Sequence, residues 1–96
     1  MKFKNFLLSL AQTSKHHRYR HAALIAKGNQ IFSVAVNTDG HHAEANALVR
    51  AGNRAKGATL YTLMVRSDDS VGNGAPCPRC MEAISYTKIR RVVVYV

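Results

Sequence analysis

The chain has 96 residues, with 14 Lys and Arg against five Asp and Glu, which gives a formal net charge of +9. This length predicts one domain over residues 1–96, and no apolar run approaches the roughly 18 residues of a membrane span. The positive charge favours phosphate-bearing partners through steering and counterion release. Residues 1–10 are too mixed for a secretory signal core, so we expect a cytoplasmic protein with no membrane partner.

The first part of the chain predicts a helix followed by a β-hairpin. The helix is indicated by apolar residues at helical spacing, which are Phe3, Phe6, Leu7 and Leu10. Residues 22–26 and 31–36 have the composition of two strands, and the polar residues 27–30 between them predict a turn. The two strands are therefore expected to pair antiparallel.

The rest of the chain alternates helices and strands. Residues 37–40 are typical of a loop, and residues 43–56 of a helix. The inner side of that helix is expected to carry Ala43, Ala47, Leu48, Ala51 and Ala55. A strand over residues 59–65, a helix beginning near Cys77 and a strand over residues 92–96 follow. The order α-β-β-α-β-α-β predicts a three-layer α-β-α fold of the α/β class, with a mixed sheet of about four strands flanked by three helices. Its second half should contain parallel pairs with right-handed crossovers.

Two short motifs contain the donors of a catalytic zinc site. One imidazole and two thiolates can hold Zn²⁺ tetrahedrally and leave the fourth position open, and His42, Cys77 and Cys80 supply such a set. Glu44 remains unligated and is available to move protons. Zinc held in this way lowers the pKa of bound water to about 7.

The spacing of the cysteines suits the start of a helix. Cys77 and Cys80 would share the first turn, where the positive helix end favours thiolates and Pro78 is tolerated. A buried face at helical spacing is expected to comprise Cys77, Cys80, Met81 and Ile84. His42 likewise precedes a predicted helix, so we expect two helix starts to converge on the metal.

The cysteine pair has two other interpretations. A Cys-x-x-Cys segment with an inner proline also occurs in redox proteins, but there it follows the first strand, whereas here only sixteen residues follow Cys80. A structural zinc knuckle would normally need a fourth Cys or His ligand. His41 is a conceivable fourth ligand, although we expect it to be a loop residue near the pocket.

The pattern His-x-Glu followed by Pro-Cys-x-x-Cys resembles the zinc-dependent cytidine and deoxycytidylate deaminase superfamily. Residues 42–48 are similar to the deoxycytidylate deaminase form of the histidine motif. Residues 57–61 and 89–95 are similar to the strands that follow the two motifs in that superfamily. The resemblance covers most of the chain from about Ala22 onward.

The resemblance implies a hydrolase that acts on the C–N bond of a cyclic amidine. Glu44 would take a proton from the zinc-bound water, hydroxide would attack C4 of cytosine, and the proton would pass to the ring nitrogen and then to departing ammonia. Backbone groups around Ala43 and Pro76 would orient the base. Asn37 matches the asparagine that contacts the sugar in this superfamily.

The end of the chain departs from the superfamily pattern. Members usually carry a fifth strand and one or two further helices, whereas this sequence stops at Val96. A short apolar strand at a sheet edge is a pairing hazard. We therefore expect a homo-oligomer in which another subunit covers residues 92–96.

A basic segment and a polar loop bear on the choice of substrate. In residues 15–21, Arg18 and Arg20 could contact phosphate and Tyr19 could stack on a base, or the segment could be a solvated surface. Residues 66–75 could form part of the pocket wall. Asn73 in that loop could bind substrate, although a turn is the favoured interpretation.

Three functions remain open from the sequence. The leading hypothesis is deamination of a free cytosine nucleoside or nucleotide, such as cytidine, deoxycytidine or dCMP. The second is deamination of cytosine, or less favourably adenine, in single-stranded DNA or RNA. The third is a non-catalytic module that binds zinc or nucleic acid, and Glu44 argues against it because a structural site needs no unligated acid.

Overall fold

The computed structural model describes residues 2–16, 18–38 and 42–96. His17 of the basic segment, residues 39–40 of the predicted loop and His41 lie outside the described residues. The elements are, in chain order, α1 (Lys4–Ala11), β1 (Tyr19–Lys27), β2 (Gln30–Val36), α2 (Ala43–Ala51) with a 3₁₀ turn (Gly52–Ala55), β3 (Thr59–Arg66), β4 (Val71–Gly72), α3 (Pro78–Tyr86) and β5 (Arg91–Val94).

Among the described residues, the sheet is mixed and has five strands. Its order is β2-β1-β3-β4, and β5 also pairs with β3. β1 runs antiparallel to both neighbours, with Ala22 opposite Val36 on β2 and Leu63 on β3. β5 runs parallel to β3, as the intervening helix α3 requires. The predicted α/β fold with a mixed sheet is confirmed.

Alternate residues of the strands face two different helix layers. On one face, Ala23 and Ile25 of β1 pack with the apolar side of α2 and with Ile84 of α3. On the other face, Ala22 and Leu24 pack with Leu7 of α1. Because side chains of a strand alternate between faces, one strand supplies both cores. The small Ala side chains allow the helices to lie close to the sheet.

The face under α1 also contains an aromatic cluster. Phe3 meets Tyr61 edge to face at 5.1 Å, and Tyr61 stacks on Tyr95 at 6.1 Å between ring centroids. The Tyr95 hydroxyl donates to the Lys2 carbonyl. These contacts join the residues before α1 to those after β5, so the two ends of the described chain lie on the same layer.

Helix α2 is held on β2 by polar contacts as well as by its alanines. The buried Ser33 hydroxyl donates to the Ala47 carbonyl at 2.8 Å. The side-chain amide of Asn46 donates to the Val36 carbonyl at 3.3 Å, and the Arg50 guanidinium donates to the Val34 carbonyl at 2.9 Å. These bonds fix the start of α2 relative to the end of β2, where His42 lies.

Several predicted boundaries differ from the structure. The α2 helix ends at Ala51, and a 3₁₀ turn completes the predicted span to Ala55. β1 begins at Tyr19 instead of residue 22, because pairing with β3 extends to Arg66. The short β4 was not predicted. Its two residues lack a hydrophobic pattern, and it exists through a tight return of the chain onto β3.

The predicted buried face of α3 is wrong at one residue. Cys80 and Ile84 are buried, but Met81 is 45% exposed. A helix advances by about 100° per residue, so a helix that packs along Cys80 and Ile84 turns Met81 away from the sheet. No helix among the described residues is both long and apolar enough to cross a membrane.

Replacing Leu7 with Ala should lower the free energy of unfolding by about 2–5 kcal/mol, because Leu7 is fully buried between α1 and the sheet. Urea unfolding of both proteins at saturating zinc would measure the change. Phe6→Ala is the matched control, since Phe6 lies on the same helix but is 46% exposed, and its effect should be about 1 kcal/mol or less. Equal losses for the two variants would contradict this packing.

Candidate metal centre and active site

The candidate site lies at one end of the sheet. β2 ends at Val36 shortly before α2, and β4 ends at Gly72 shortly before α3. Val36 pairs with Ala22 near the start of β1, and Gly72 pairs with Met64 near the end of β3. The N-termini of α2 and α3 therefore approach each other at this end of the sheet.

His42 and Glu44 are placed by the first turn of α2. His42 is the N-cap residue, with an extended backbone, and its carbonyl accepts from the main-chain amide of Asn46 at 3.1 Å. Glu44 follows in the first turn and is 1% exposed. A buried carboxyl group normally has a specific partner or a specific task. Its position beside the two motifs indicates a task in the site.

Cys77 and Cys80 are placed by the first turn of α3. Cys77 is the N-cap residue, Pro78 occupies the first turn, and the Cys77 sulfur accepts from the Cys80 amide at 3.4 Å. Cys80 is buried and Cys77 is half-buried. The predicted helix start at the cysteine motif is thus present, and Pro78 removes no intrahelical hydrogen bond.

The three zinc-type donors come together. The Nδ1 atom of His42 lies 3.6 Å from the Cys77 sulfur and 3.1 Å from the Cys80 sulfur. All three donor atoms lie within 4.8 Å of one another. Tetrahedral zinc with usual bond lengths separates its nitrogen and sulfur ligands by about 3.6 Å. The cluster therefore fits zinc, with Nδ1 as the histidine donor.

The two thiols have different electrostatic surroundings. Burial raises the pKa of Cys80 to about 12, helped by the neighbouring Cys77 thiol and by Glu44. The amide of Cys80 lowers the pKa of Cys77 by hydrogen bonding to its sulfur. Cys77 is therefore the easier thiol to ionise, and Cys80 needs a cation to become a thiolate.

Asn37, predicted to contact the sugar, is tied to its own chain. Its Oδ1 accepts from the Ser14 hydroxyl at 2.6 Å and from the His21 amide at 2.8 Å. Its Nδ2 donates to the Tyr19 carbonyl at 2.7 Å. Asn37 thus joins the end of β2 to the start of β1 and to Ser14, and the Tyr19 carbonyl is the one acceptor of its Nδ2 among the described residues.

The three predicted contacts in the basic segment differ in availability. Arg18 is exposed, and Tyr19 is 49% exposed. Arg20 donates to Asp69 at 2.6 Å and to the Arg66 carbonyl at 2.8 Å. Its charge is therefore used to hold the β3–β4 loop, and Arg18 is the better placed of the two arginines for phosphate.

The β3–β4 loop is held by its own polar side chains. Asp68 accepts from the hydroxyl and amide of Ser70, and these bonds lower the pKa of the Asp68 carboxyl. Beyond β4, Asn73 accepts from the main-chain amide of Ala75 at 3.2 Å, as expected for a turn residue. Asp69 faces Arg20 in an ion pair.

The remaining predicted contacts flank the donor cluster, and sequence reasoning missed one neighbour. Ala43 is buried next to His42, and Pro76 is half-buried next to Cys77. The missed residue is His21, whose Nε2 lies 3.7 Å from Oε1 of Glu44. Alternation along β1 could have revealed it, because Ala23 and Ile25 face α2 and His21 is two residues earlier.

The zinc affinity of the protein should rise at least about tenfold per pH unit between about pH 6 and pH 8, with one zinc per chain. The Cys80 thiol, with its pKa of about 12, is protonated throughout this range and must release its proton to bind zinc. Competition with a chelator at several pH values would measure the slope. Cys80→Ser should lose stoichiometric zinc, whereas the exposed Met81→Ala should retain it; a pH-independent affinity would contradict the assignment.

Comparison with known proteins places this site in a family. Riboflavin biosynthesis protein RibD of Aquifex aeolicus is 33% identical over 99 residues, which cover 95% of this chain and 27% of RibD. A structure of Acinetobacter baumannii RibD matches with a TM-score of 0.70 and 28% identity over 94% of this chain and 26% of that one. This chain thus spans about a quarter of either RibD.

A third similar protein shares the fold over most of both chains. The apo structure of dCMP deaminase from cyanophage S-TIM5 matches with a TM-score of 0.64 and 20% identity, over 97% of this chain and 82% of that one. The family described as the cytidine and deoxycytidylate deaminase zinc-binding region matches residues 1–96. The predicted zinc cofactor and the predicted superfamily are confirmed, and the chain belongs to the cytidine and deoxycytidylate deaminase family.

Proposed function

We propose that this protein hydrolytically deaminates cytosine to uracil in a nucleoside or nucleotide, in a zinc-dependent reaction. The observation that carries the proposal is the placement of Glu44, which is 1% exposed and lies in the same helical turn as a zinc donor. A purely structural zinc site has no use for a buried unligated acid, since burying a carboxylate has a cost in free energy. Glu44 therefore argues against a non-catalytic module.

The residues of this chain divide the chemistry between them. His42, Cys77 and Cys80 would hold the zinc, which when bound polarises water and lowers its pKa to about 7. Glu44 would accept a proton as water adds to C4 of the base, pass it to the ring nitrogen, and then assist the departure of ammonia. A C–O bond forms, a C–N bond breaks, and the products are the uracil compound and ammonia.

Residues beside the donors would orient the substrate. Ala43 and Pro76 each adjoin a ligand, so the backbone around them is well placed to hold the base next to Glu44. Nδ2 of Asn37 donates to one acceptor among the described residues, so its second hydrogen would bind the sugar while its other bonds fix β1 and β2. A site whose metal donors are held by the first turns of two helices needs little reorganisation when substrate binds.

Phosphate-bearing substrates are favoured by the charge at this end of the molecule. A cavity of about 490 Å³ adjoins Asn37 and is lined also by Lys15 and Thr38. Arg18 and Tyr19 are exposed in the same connection between α1 and β1. A nucleoside monophosphate with its base at Glu44 and its sugar near Asn37 could direct its phosphate toward this connection.

A second candidate is deamination of cytosine within single-stranded DNA or RNA. The exposed ring of Tyr19 next to Arg18 favours it, because an aromatic side chain among cations can stack on a base. Oligonucleotide binding would then weaken steeply with salt, since each neutralised phosphate releases counterions. Monomer turnover would depend much less on salt.

The similarity to RibD favours a third candidate, a deaminase step in riboflavin biosynthesis. RibD of Aquifex aeolicus shares 33% identity with this chain, more than the 20% of the phage dCMP deaminase. Restoration of growth to a bacterial strain that lacks RibD would support this role. Failure to restore growth, together with turnover of cytosine compounds, would leave the first proposal.

We infer a cytoplasmic location because two free thiols that must ligate zinc are best kept reduced there. We also infer self-association through β5. This strand is paired with β3 along one side, and its residues are exposed or half-buried. A second copy could pair with its other edge.

Replacing Glu44 with Gln should abolish deamination and leave one zinc per chain, because the amide cannot accept the proton and no ligand is removed. Ammonia release and uracil formation would be measured with cytidine, deoxycytidine, dCMP and single-stranded oligonucleotides. The matched control is Glu82→Gln, since Glu82 is the other glutamate and is exposed on α3. Full activity of Glu44→Gln would overturn the proposed role.

Arg18→Gln should lower kcat/KM for dCMP about tenfold, as expected for loss of one charge-assisted contact to phosphate, and change that for deoxycytidine less than about twofold. Arg91→Gln is the matched control, since Arg91 lies opposite Thr59 at the start of β3. Tyr19, which follows Arg18, lies opposite Arg66 at the other end of β3. Equal effects on both substrates would refute a phosphate contact at Arg18.

A further inference from the structure

The carboxyl group of Glu44 has an unusual environment. Glu44 is almost completely buried, and no described residue forms a hydrogen bond with its Oε1 atom. Leaving a buried polar atom without a partner is unfavourable for folding. Such a carboxyl group keeps a defined orientation only if neighbouring atoms confine it. The ring of His21 lies beside this oxygen, with its Nε2 atom 3.7 Å from Oε1.

The ring of His21 is oriented toward this carboxyl group by Gly74. Nε2 of His21 lies 3.0 Å from the Gly74 carbonyl and 3.7 Å from Oε1 of Glu44. A carbonyl oxygen only accepts hydrogen bonds, so Nε2 carries a hydrogen. That hydrogen faces two acceptors, one hydrogen-bonded and the other just beyond hydrogen-bond distance.

Gly74 permits this close approach because it has no side chain. A Cβ atom at this position would lie 2.8 Å from Nε2 of His21 and 2.9 Å from Cβ of Met64. The Gly74 carbonyl also receives a contact from the Thr62 hydroxyl at 3.5 Å. The segment before Cys77 therefore holds the His21 ring beside Glu44, where 19% of its side chain is exposed.

The backbone of His21 is fixed from the opposite side. Its main-chain amide donates to Oδ1 of Asn37 at 2.8 Å, and its carbonyl accepts from the main-chain amide of Asn37 at 3.1 Å. Both the main chain and the ring of His21 are thus held by other parts of the site. A side chain held this firmly can confine its neighbour.

We propose that His21 is a positioning residue for Glu44. Its Nε2–H confines Oε1 on the sheet side of the carboxyl group, so that the acid meets water and the ring nitrogen of the base at the required distance. This role rests on the proposed deaminase function. Misplacement of a reacting group by about 1 Å can cost about 100-fold in rate, so confinement of a carboxyl group whose Oε1 atom has no hydrogen-bond partner among the described residues has a measurable effect.

The test compares His21→Ala with His21→Gln in the zinc-loaded protein. His21→Ala removes the N–H and should lower kcat about 10- to 100-fold, with KM changed less than about twofold. His21→Gln supplies an N–H of similar reach and should recover most of the lost kcat. Zinc content should be one per chain in both variants, because His21 contacts none of the three donors in the described structure.

Two kinetic outcomes would overturn the proposal. A rise in KM with unchanged kcat would make His21 a substrate contact instead of a positioning residue. Equal loss of kcat in both variants, with no recovery by Gln, would indicate that the imidazole only fills space in the pocket wall.

A second readout does not depend on activity. In nitrogen NMR of the zinc-loaded protein, the Nε2 resonance of His21 should shift in Glu44→Gln and stay unchanged in Glu82→Gln. If the wild-type protein deaminates none of the substrates but this shift is seen, the deaminase function fails and the contact between His21 and Glu44 stands. If the Nε2 resonance keeps the same chemical shift in Glu44→Gln, the positioning role is overturned even in an active enzyme.

Discussion

The meeting of two helix N-termini at one end of the sheet is the constraint on which the site depends. His42 caps α2 and Cys77 caps α3, and Nδ1 of His42 approaches both cysteine sulfurs within 3.6 Å. Two helices on one sheet can bring their ends this close only if small residues line the contact. The alanines of α2 and β1 meet that need, because they let α2 lie low on the sheet. A larger residue at Ala23 or Ala47 would move a zinc donor and the acid together.

Burial makes the ionised forms of two groups in this site unfavourable. Cys80 and Glu44 are both buried, and burial of Cys80 raises the pKa of its thiol to about 12. Their negative forms would repel each other in the absence of a cation. Zinc relieves this repulsion, while the positive ends of α2 and α3 favour the thiolate forms. The arrangement is therefore unfavourable alone and well matched to a divalent cation, which is typical of a functional site in a small domain.

The sequence could predict the parts of the site that depend on local patterns. The helix starts at His42 and Cys77 follow from capping position and proline placement, and the alternating apolar residues of β1 follow from the two buried faces. Contacts set by the return of distant segments were not predictable. Arg20 pairs with Asp69 because β4 folds back on β3. Met81 is exposed because the buried side of α3 consists of Cys80 and Ile84. His21 was missed because the strand was predicted to begin at residue 22, whereas its pairing with β3 extends it back to Tyr19.

Asn37 connects the segment before β1 to the neighbourhood of Glu44. Its side chain bonds to Ser14, just before the basic segment, and to Tyr19 within it, and it also accepts from the main-chain amide of His21, two residues before Ala23 in the core. A ligand that draws one Asn37 hydrogen toward a sugar would therefore pull on the same group that sets the position of His21. Because the ring of His21 lies 3.7 Å from Oε1 of Glu44, a sugar bound at Asn37 in the proposed way would be linked to Glu44 through Asn37 and His21. This link gives a physical route by which a substrate with a sugar would be favoured over a free base.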